Sequence, residues 1–170
     1  MWMLFVVVAI ANPVERVLFV VGDRIVTQSD VAFELFFIGH DRSPLPSFAA
    51  DAGPVAERLR DIAAVRQLAG DTSVFSPNNA EVRARAHAFL TQWPRPDDGL
   101  AALEAWGMDE AAFLGFVYSR LVVENCVVRS VPLPEAPEVE AERLAWLARY
   151  DVWVAGVRQR ATIREPRGAK

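Results

Sequence analysis

The chain has 170 residues, of which 52% are hydrophobic and 24% are charged, and its net charge at pH 7 is −4. This composition predicts one folded domain with a substantial core and excludes a disordered chain. The acidic balance argues against nucleic acid as a partner, because phosphate binding needs a concentrated basic surface.

The first eleven residues are apolar and end in the small-residue step Ala9-x-Ala11. This pattern predicts a signal peptide over 1–11, cleaved after Ala11. The run is shorter than the ~20 apolar residues of a membrane-spanning helix, so we expect no stable membrane span. No basic residue precedes Arg16, which leaves two alternatives open: a start site upstream of Met1, or a further buried strand.

Residues 16–27 are expected to form a β-hairpin. Val17–Val21 is a β-branched and aromatic run, and extended character resumes at Ile25 after the Gly22-Asp23 pair. Gly22 comes first in that pair, which suits a turn with positive φ at its first central residue.

The hairpin leads into a helix that we expect to end at Gly39. Ser29 is predicted as its N-cap, with the Asp30 carboxylate at the positive end of the helix dipole. Three aromatic side chains share one side of this helix: Phe33, Phe36 and Phe37. The helix is apolar nearly all round, so that side is either buried between two layers or offered to a partner.

Apolar spacing and Gly or Pro punctuation predict further helices along the rest of the chain. Their expected ranges are 55–69, a segment from Ser76 as N-cap through Trp93, 98–106, a helix capped by Asp109 and reaching 128, and 138–160. The last helix carries an apolar stripe of Leu144, Leu147, Tyr150, Val154 and Val157, bordered by Trp146 and Trp153. The fold class is therefore mainly α with a small β-sheet, with five to six helices.

The segment 131–137 is a stiff, Pro-rich connector before the last helix. A short strand near Thr162 and Ile163 is expected to return to the hairpin and extend it into a small sheet. Cys126 is the only cysteine and lies in an apolar run, so it is expected to be a buried, unreactive side chain.

No catalytic pattern occurs with its required context. G-x-S-x-G, H-E-x-x-H, C-x-x-C and phosphate-binding loops are all missing from the sequence. The two histidines, His40 and His87, stand in no triad pattern and at no metal-ligand spacing. We therefore predict a protein that is not an enzyme and that uses no cofactor or metal.

The stretch Val21–Asp30, with its Thr-x-Ser-Asp step between strand and helix, resembles the opening of the SurA-type N-terminal domain of periplasmic chaperones and foldases. The step around Met108 and Asp109 and the segment 153–163 are similar to later parts of that family. The resemblance implies a single domain over 12–165, with 166–170 as a tail. It also implies a location in the periplasm of a Gram-negative bacterium. The family usually inserts prolyl isomerase domains where this chain has only 131–137, so isomerase activity should be absent.

Two functions follow from the resemblance and the apolar surplus. The first is ATP-independent binding of unfolded or partly folded envelope and outer-membrane proteins. The expected client-binding residues are Phe33, Phe36, Phe37, Trp146 and Trp153. The alternative is a structural adaptor or dimerising scaffold of the cell envelope, formed when two copies exchange the C-terminal helix about the hinge at 132–137.

Overall fold

The computed structural model describes residues 15–49, 53–70, 72–136 and 138–166. Within these ranges the elements are β1 (Val17–Val21), β2 (Arg24–Thr27), α1 (Gln28–Ile38), α2 (Val55–Ala69), α3 (Asn79–Leu90), α4 (Pro96–Glu104), α5 (Glu110–Ser130), α6 (Glu140–Arg160) and β3 (Ile163–Arg164). Short 3-10 turns occur at Pro46–Phe48 and Ser73–Phe75. The predicted fold class, mainly helical with a small sheet, is confirmed. The predicted signal peptide, 1–11, lies outside the described residues.

The three strands form one antiparallel sheet in the order β2-β1-β3. Val21 pairs with Arg24 across the hairpin and with Ile163 of the returning strand. Gly22 has a φ of 62°, as its place in the turn predicts, and its N–H donates to the Thr162 carbonyl at 2.9 Å. The hairpin and the returning C-terminal strand are thus both confirmed.

The N-cap of α1 is Thr27, so the prediction of Ser29 is wrong. Thr27 Oγ1 accepts the Asp30 N–H at 3.3 Å, and Asp30 Oδ2 accepts the Thr27 N–H at 2.8 Å. This reciprocal capping box satisfies two backbone donors at once, which a cap at Ser29 would not do. The Ser29 hydroxyl instead donates to Glu15 Oε2 at 2.7 Å.

Three further helix starts differ from the prediction, those of α3, α4 and α6, the last of which begins at Glu140 and not at 138. α3 is capped by Asn78, not Ser76, because Asn78 and Glu81 form a second capping box with bonds of 2.8 and 2.9 Å. α4 begins at Pro96, whose missing N–H costs little in the first turn. Asp109 caps α5 as predicted, accepting a backbone N–H at 2.7 Å.

α5 lies between two hydrophobic cores and contributes to both. The first core joins the sheet, α2, α5 and α6, and includes Phe19, Val21, Leu59, Val65, Val123, Cys126, Val127, Trp146 and Val154. The second core joins α1, α3, α4 and α5, and consists of Phe37, Val82, Ala86, Phe89, Leu103, Phe113 and Val117. Cys126 is buried as predicted, and burial raises the pKa of its thiol.

α5 is also, by length and composition, the helix in the described ranges that is long and apolar enough to cross a membrane. A core helix has the same composition, and α5 packs against both α2 and α3. Its middle carries two buried charged side chains, Arg120 and Glu124. We therefore describe it as the central helix of the fold.

α6 packs on α2 and on the Pro46–Phe48 turn through one face. The buried side chains of this face are Trp146, Tyr150, Val154 and Val157. The rings of Trp146 and Tyr150 stack at 5.4 Å, and Trp146 Nε1 donates to the Val131 carbonyl at 3.3 Å. Leu144, predicted in this stripe, is instead 53% exposed, because the buried face is rotated toward the larger Trp146 ring.

Candidate functional site

Two of the five predicted client-binding residues are core residues. Phe37 is 1% exposed in the second core and Trp146 is 0% exposed in the first. Neither offers surface to a client, so their prediction as binding residues is corrected. The physical reason is that Phe37 packs among side chains of α3, α4 and α5, and Trp146 packs in the first core, where it stacks on Tyr150.

The other three predicted residues are half-buried. Phe33 and Phe36 lie at 5.7 and 5.6 Å from the ring of Trp106, which is itself 41% exposed. Trp153 lies 6.1 Å from the Tyr150 ring. These side chains keep some surface, and none of them lines either the cleft between the hairpin, α2 and α5 or the one beside Pro132 and Pro134.

A cleft with a volume of about 610 Å³ lies between the hairpin, α1, α2 and α5. We call it the arginine cleft, after three of its lining residues: Arg24, Arg66 and Arg120. Its apolar lining includes Leu59, Ile62 and Phe116, and its acidic lining is Asp23 and Glu34. It therefore combines apolar surface with more guanidinium groups than carboxylates.

The fold brings the three arginines together from distant parts of the chain. Arg24 opens β2 directly after the Gly22 turn, and Arg66 lies in the last turn of α2, where its Nη1 donates to the Gly70 carbonyl. Arg120 lies in the middle of α5. Because α2 packs on both β1 and α5, the three side chains line one cleft.

Arg120 is held by a buried ion pair to Glu34 of α1. Its Nη2 lies 2.6 Å from Glu34 Oε1, and the two side chains are 3% and 2% exposed. The guanidinium carbon lies 5.1 Å from the ring centroids of both Phe37 and Phe48, so aromatic faces also stabilise the cation. The other terminal nitrogen, Nη1, is buried without a hydrogen-bond acceptor among the described residues.

The charge of Arg24 is compensated only in part. Burial lowers the pKa of its guanidinium, and the Asp30 carboxylate offsets this in part. An arginine remains charged at any physiological pH, so burial without a close anion is unfavourable. Within the described residues no carboxylate lies in ion-pair contact with Arg24.

A second buried polar cluster, next to the cleft on α5, is held together by its own hydrogen bonds. Arg85 donates to Asp41 at 2.6 and 2.8 Å and to Glu124 Oε1 at 3.1 Å, while Ser43 Oγ donates to Glu124 at 2.7 Å. Burial raises the pKa of Glu124, and the neighbouring Arg85 and Ser43 act in the opposite direction. The four side chains form hydrogen bonds with one another, so this cluster holds α3 and the 41–45 loop on α5.

Sequence reasoning missed Glu34 and Arg120. Glu34 is charged and is nevertheless only 1% exposed. The available signal was that each residue is a lone charge within an apolar helical run, which in a packed core requires an opposite partner.

The fold and the cleft define a small helical domain that closes on a three-stranded sheet and carries one mixed apolar and cationic cleft. No protein-family model matches the chain, and no curated protein matches it either. Among the described residues, no group of three or more His, Cys, Asp or Glu side chains is placed to hold a metal ion.

Proposed function

We propose that the protein is an ATP-independent, chaperone-like domain of the periplasm that binds unfolded or partly folded envelope and outer-membrane proteins, without isomerase activity. The resemblance of Val21–Asp30 to the SurA-type N-terminal domain supports this proposal, as does the C-terminal strand that returns to the hairpin. The observation that carries it is the open arginine cleft.

The dimensions and lining of the cleft suit a short stretch of polypeptide. Its volume of about 610 Å³ falls in the range of protein binding pockets, ~300–1,000 Å³. Leu59, Ile62 and Phe116 provide apolar contact, and the flanking charges provide polar contact. Exposed apolar side chains are the feature that distinguishes an unfolded client from a folded protein.

Gly115 allows the cleft to be blocked without damage to the fold. It lines the cleft on α5, and a Cβ built there meets no atom within 4 Å. Gly115→Phe should therefore fill the cleft while improving helix propensity. Gly156→Phe is the matched control, because Gly156 is also helical, has the same open space and does not line the cleft.

The test is aggregation of a urea-unfolded outer-membrane protein after dilution, followed by light scattering with and without the full chain. We expect the wild-type protein and Gly156→Phe to slow aggregation and Gly115→Phe to lose the effect. A wild-type protein that does not slow aggregation contradicts the proposal. Full activity in Gly115→Phe would show that the cleft is not the site that binds the client.

A specific observation favours the second candidate function, a dimerising scaffold. The outward side of α6 carries Leu144 and Val152, which are 53% and 78% exposed. Glu138 and Glu140 lie at the start of this helix and Arg160 at its end. Two α6 helices packed antiparallel would bury the apolar side and place acidic starts against basic ends, so the partner would be a second copy of the chain.

Light scattering coupled to size-exclusion chromatography distinguishes this scaffold from the chaperone. A dimer that Val152→Glu converts to monomer supports it, with Val74→Glu, at another exposed apolar site, as the control. Exchange of the C-terminal helix between copies is a second route to such a dimer. A wild-type chain that remains monomeric at high concentration contradicts the scaffold.

A further inference from the structure

We propose that the arginine cleft recognises a carboxylate that lies beside an apolar side chain, and that Arg24 is the residue that contacts this carboxylate. The inference rests on the proposed function, because it states which polypeptide segments the cleft would hold. It assigns the ligand's chemistry from the charges of the cleft.

The charges of the cleft are unequal. Three guanidinium groups line it, against the two carboxylates of Asp23 and Glu34. Glu34 is already bound by Arg120 in the interior. Glu34 is therefore not available to neutralise Arg24.

Arg24 lines the cleft and is placed to contact an incoming anion. The carboxylate that compensates its charge most, Asp30, accepts hydrogen bonds from the Thr27 N–H and hydroxyl through the same oxygen, Oδ2, at 2.8 Å each. Arg120 and Arg66 act on Arg24 as like charges. An incoming carboxylate would give Arg24 a charge-assisted, bidentate partner in a partly desolvated place, where such bonds are strong.

Arg120 adds a second donor to the same cleft. Its Nη1 is buried and has no acceptor among the described residues, while the residue as a whole is only 4% exposed. Buried donors in native proteins are normally satisfied, and Arg120 lines the cleft, so a ligand acceptor that reaches Nη1 would satisfy this one. A carboxylate oxygen has the lone pairs to supply it.

The remaining lining selects within the class of anions. Leu59, Ile62 and Phe116 lie in the same cleft, so the carboxylate must stand next to apolar surface. Two segments of an unfolded chain meet these conditions: a C-terminal carboxylate after an apolar residue, and a Glu or Asp side chain beside one.

The experiment uses four fluorescent peptides with one common apolar sequence and measures their binding to the full chain by anisotropy. The first ends in a free carboxylate and the second in an amide. The third is an amide with an internal Glu, and the fourth has Gln at that position. These arms separate a terminal carboxylate from a side-chain carboxylate.

We expect at least one carboxylate peptide to bind about tenfold more tightly than its neutral counterpart, the effect of one charge-assisted contact. Arg24→Gln should abolish this preference, and Arg24→Lys should keep part of it. Arg83→Gln is the control, since Arg83 is exposed on α3 and does not line the cleft. Melting temperatures of all variants show that each one is folded.

The aggregation assay, run on the same samples, separates the two proposals. If the chain slows aggregation but binds all four peptides equally, or none of them, the carboxylate inference is wrong and the chaperone function stands. A preference that survives in Arg24→Gln also overturns the assignment to Arg24. If the chain neither slows aggregation nor binds any peptide, both proposals are wrong.

Discussion

Glu34 of α1 and Arg120 of α5 form an ion pair in the interior, with Arg120 Nη2 at 2.6 Å from Glu34 Oε1. The pair lies where the two cores meet, because Arg120 contacts Phe37 of the second core and Phe48 of the first. It therefore sets how α1 crosses the central helix and forms the base of the arginine cleft.

Removing one partner of this pair should be strongly destabilising. Glu34→Leu leaves Arg120 buried without its carboxylate, and we expect a loss of about 3–5 kcal/mol in the free energy of unfolding. The double variant Glu34→Leu with Arg120→Met should recover most of that loss, since no unpaired charge remains. Urea unfolding of the wild type, both single variants and the double variant measures the coupling.

An exposed pair provides the comparison. Arg95 and Asp98 are 77% and 37% exposed, so Arg95→Ala should cost less than ~1 kcal/mol. Equal losses at Arg95 and at Glu34 would contradict the buried character of the Glu34–Arg120 pair.

Glu124 should make stability depend on pH. Burial raises its pKa above the ordinary value of 4.5, so the folded protein takes up this proton at a higher pH than the unfolded chain. The contribution is complete below the unfolded pKa and is lost as pH rises through the folded pKa. Glu124→Gln should therefore flatten the decline in unfolding free energy over this window, as measured by urea titrations at successive pH values.

Ser43→Ala should extend the pH-dependent decline in stability, whereas Glu124→Gln should flatten it. The Ser43 hydroxyl donates to Glu124 at 2.7 Å and lowers its pKa. Without that hydrogen bond the folded pKa rises further, and the decline in stability should extend to higher pH. Identical pH profiles for the wild type, Glu124→Gln and Ser43→Ala would show that Glu124 does not control the dependence.

Two tryptophans differ in burial, so replacing each of them tests which aromatic residues belong to the core. Trp146 is 0% exposed and Trp106 is 41% exposed. Trp146→Ala should lose about 3–5 kcal/mol through the cavity it leaves, and Trp106→Ala should lose less than half of that. Urea unfolding measures both, and a larger loss at Trp106 would contradict the assignment of Trp146 to the core.

The cap of α1 can be tested against its neighbour. Thr27→Ala removes the capping box and should cost about 1 kcal/mol, whereas Thr27→Ser should be nearly neutral. Ser29→Ala removes only an exposed hydrogen bond to Glu15 and should cost less. Thermal unfolding ranks the stability losses of the three variants. A larger loss for Ser29→Ala than for Thr27→Ala would indicate that Ser29 is the N-cap.

Local patterns in the sequence determined most of the elements. The range of α2, the end of α1 at Gly39, the positive φ of Gly22 and the Asp109 cap all depend on residues within a few positions of one another. The N-cap of α1 was predicted wrongly because Thr27 and Ser29 are both suitable capping residues. The choice between them depends on a reciprocal hydrogen bond to a third residue, Asp30.

The burial of particular apolar faces and the pairing of charged side chains depend on the tertiary structure. α1 and α6 each carry apolar residues on more than one side, so their spacing alone did not show that Phe37 and Trp146 lie in the core while Leu144 is exposed. Glu34 and Arg120 are 86 positions apart, and their pairing depends on how two helices cross. The sequence by itself therefore determined the helices and the hairpin, through short-range spacing and backbone preference. Long-range packing decided the core and the arginine cleft.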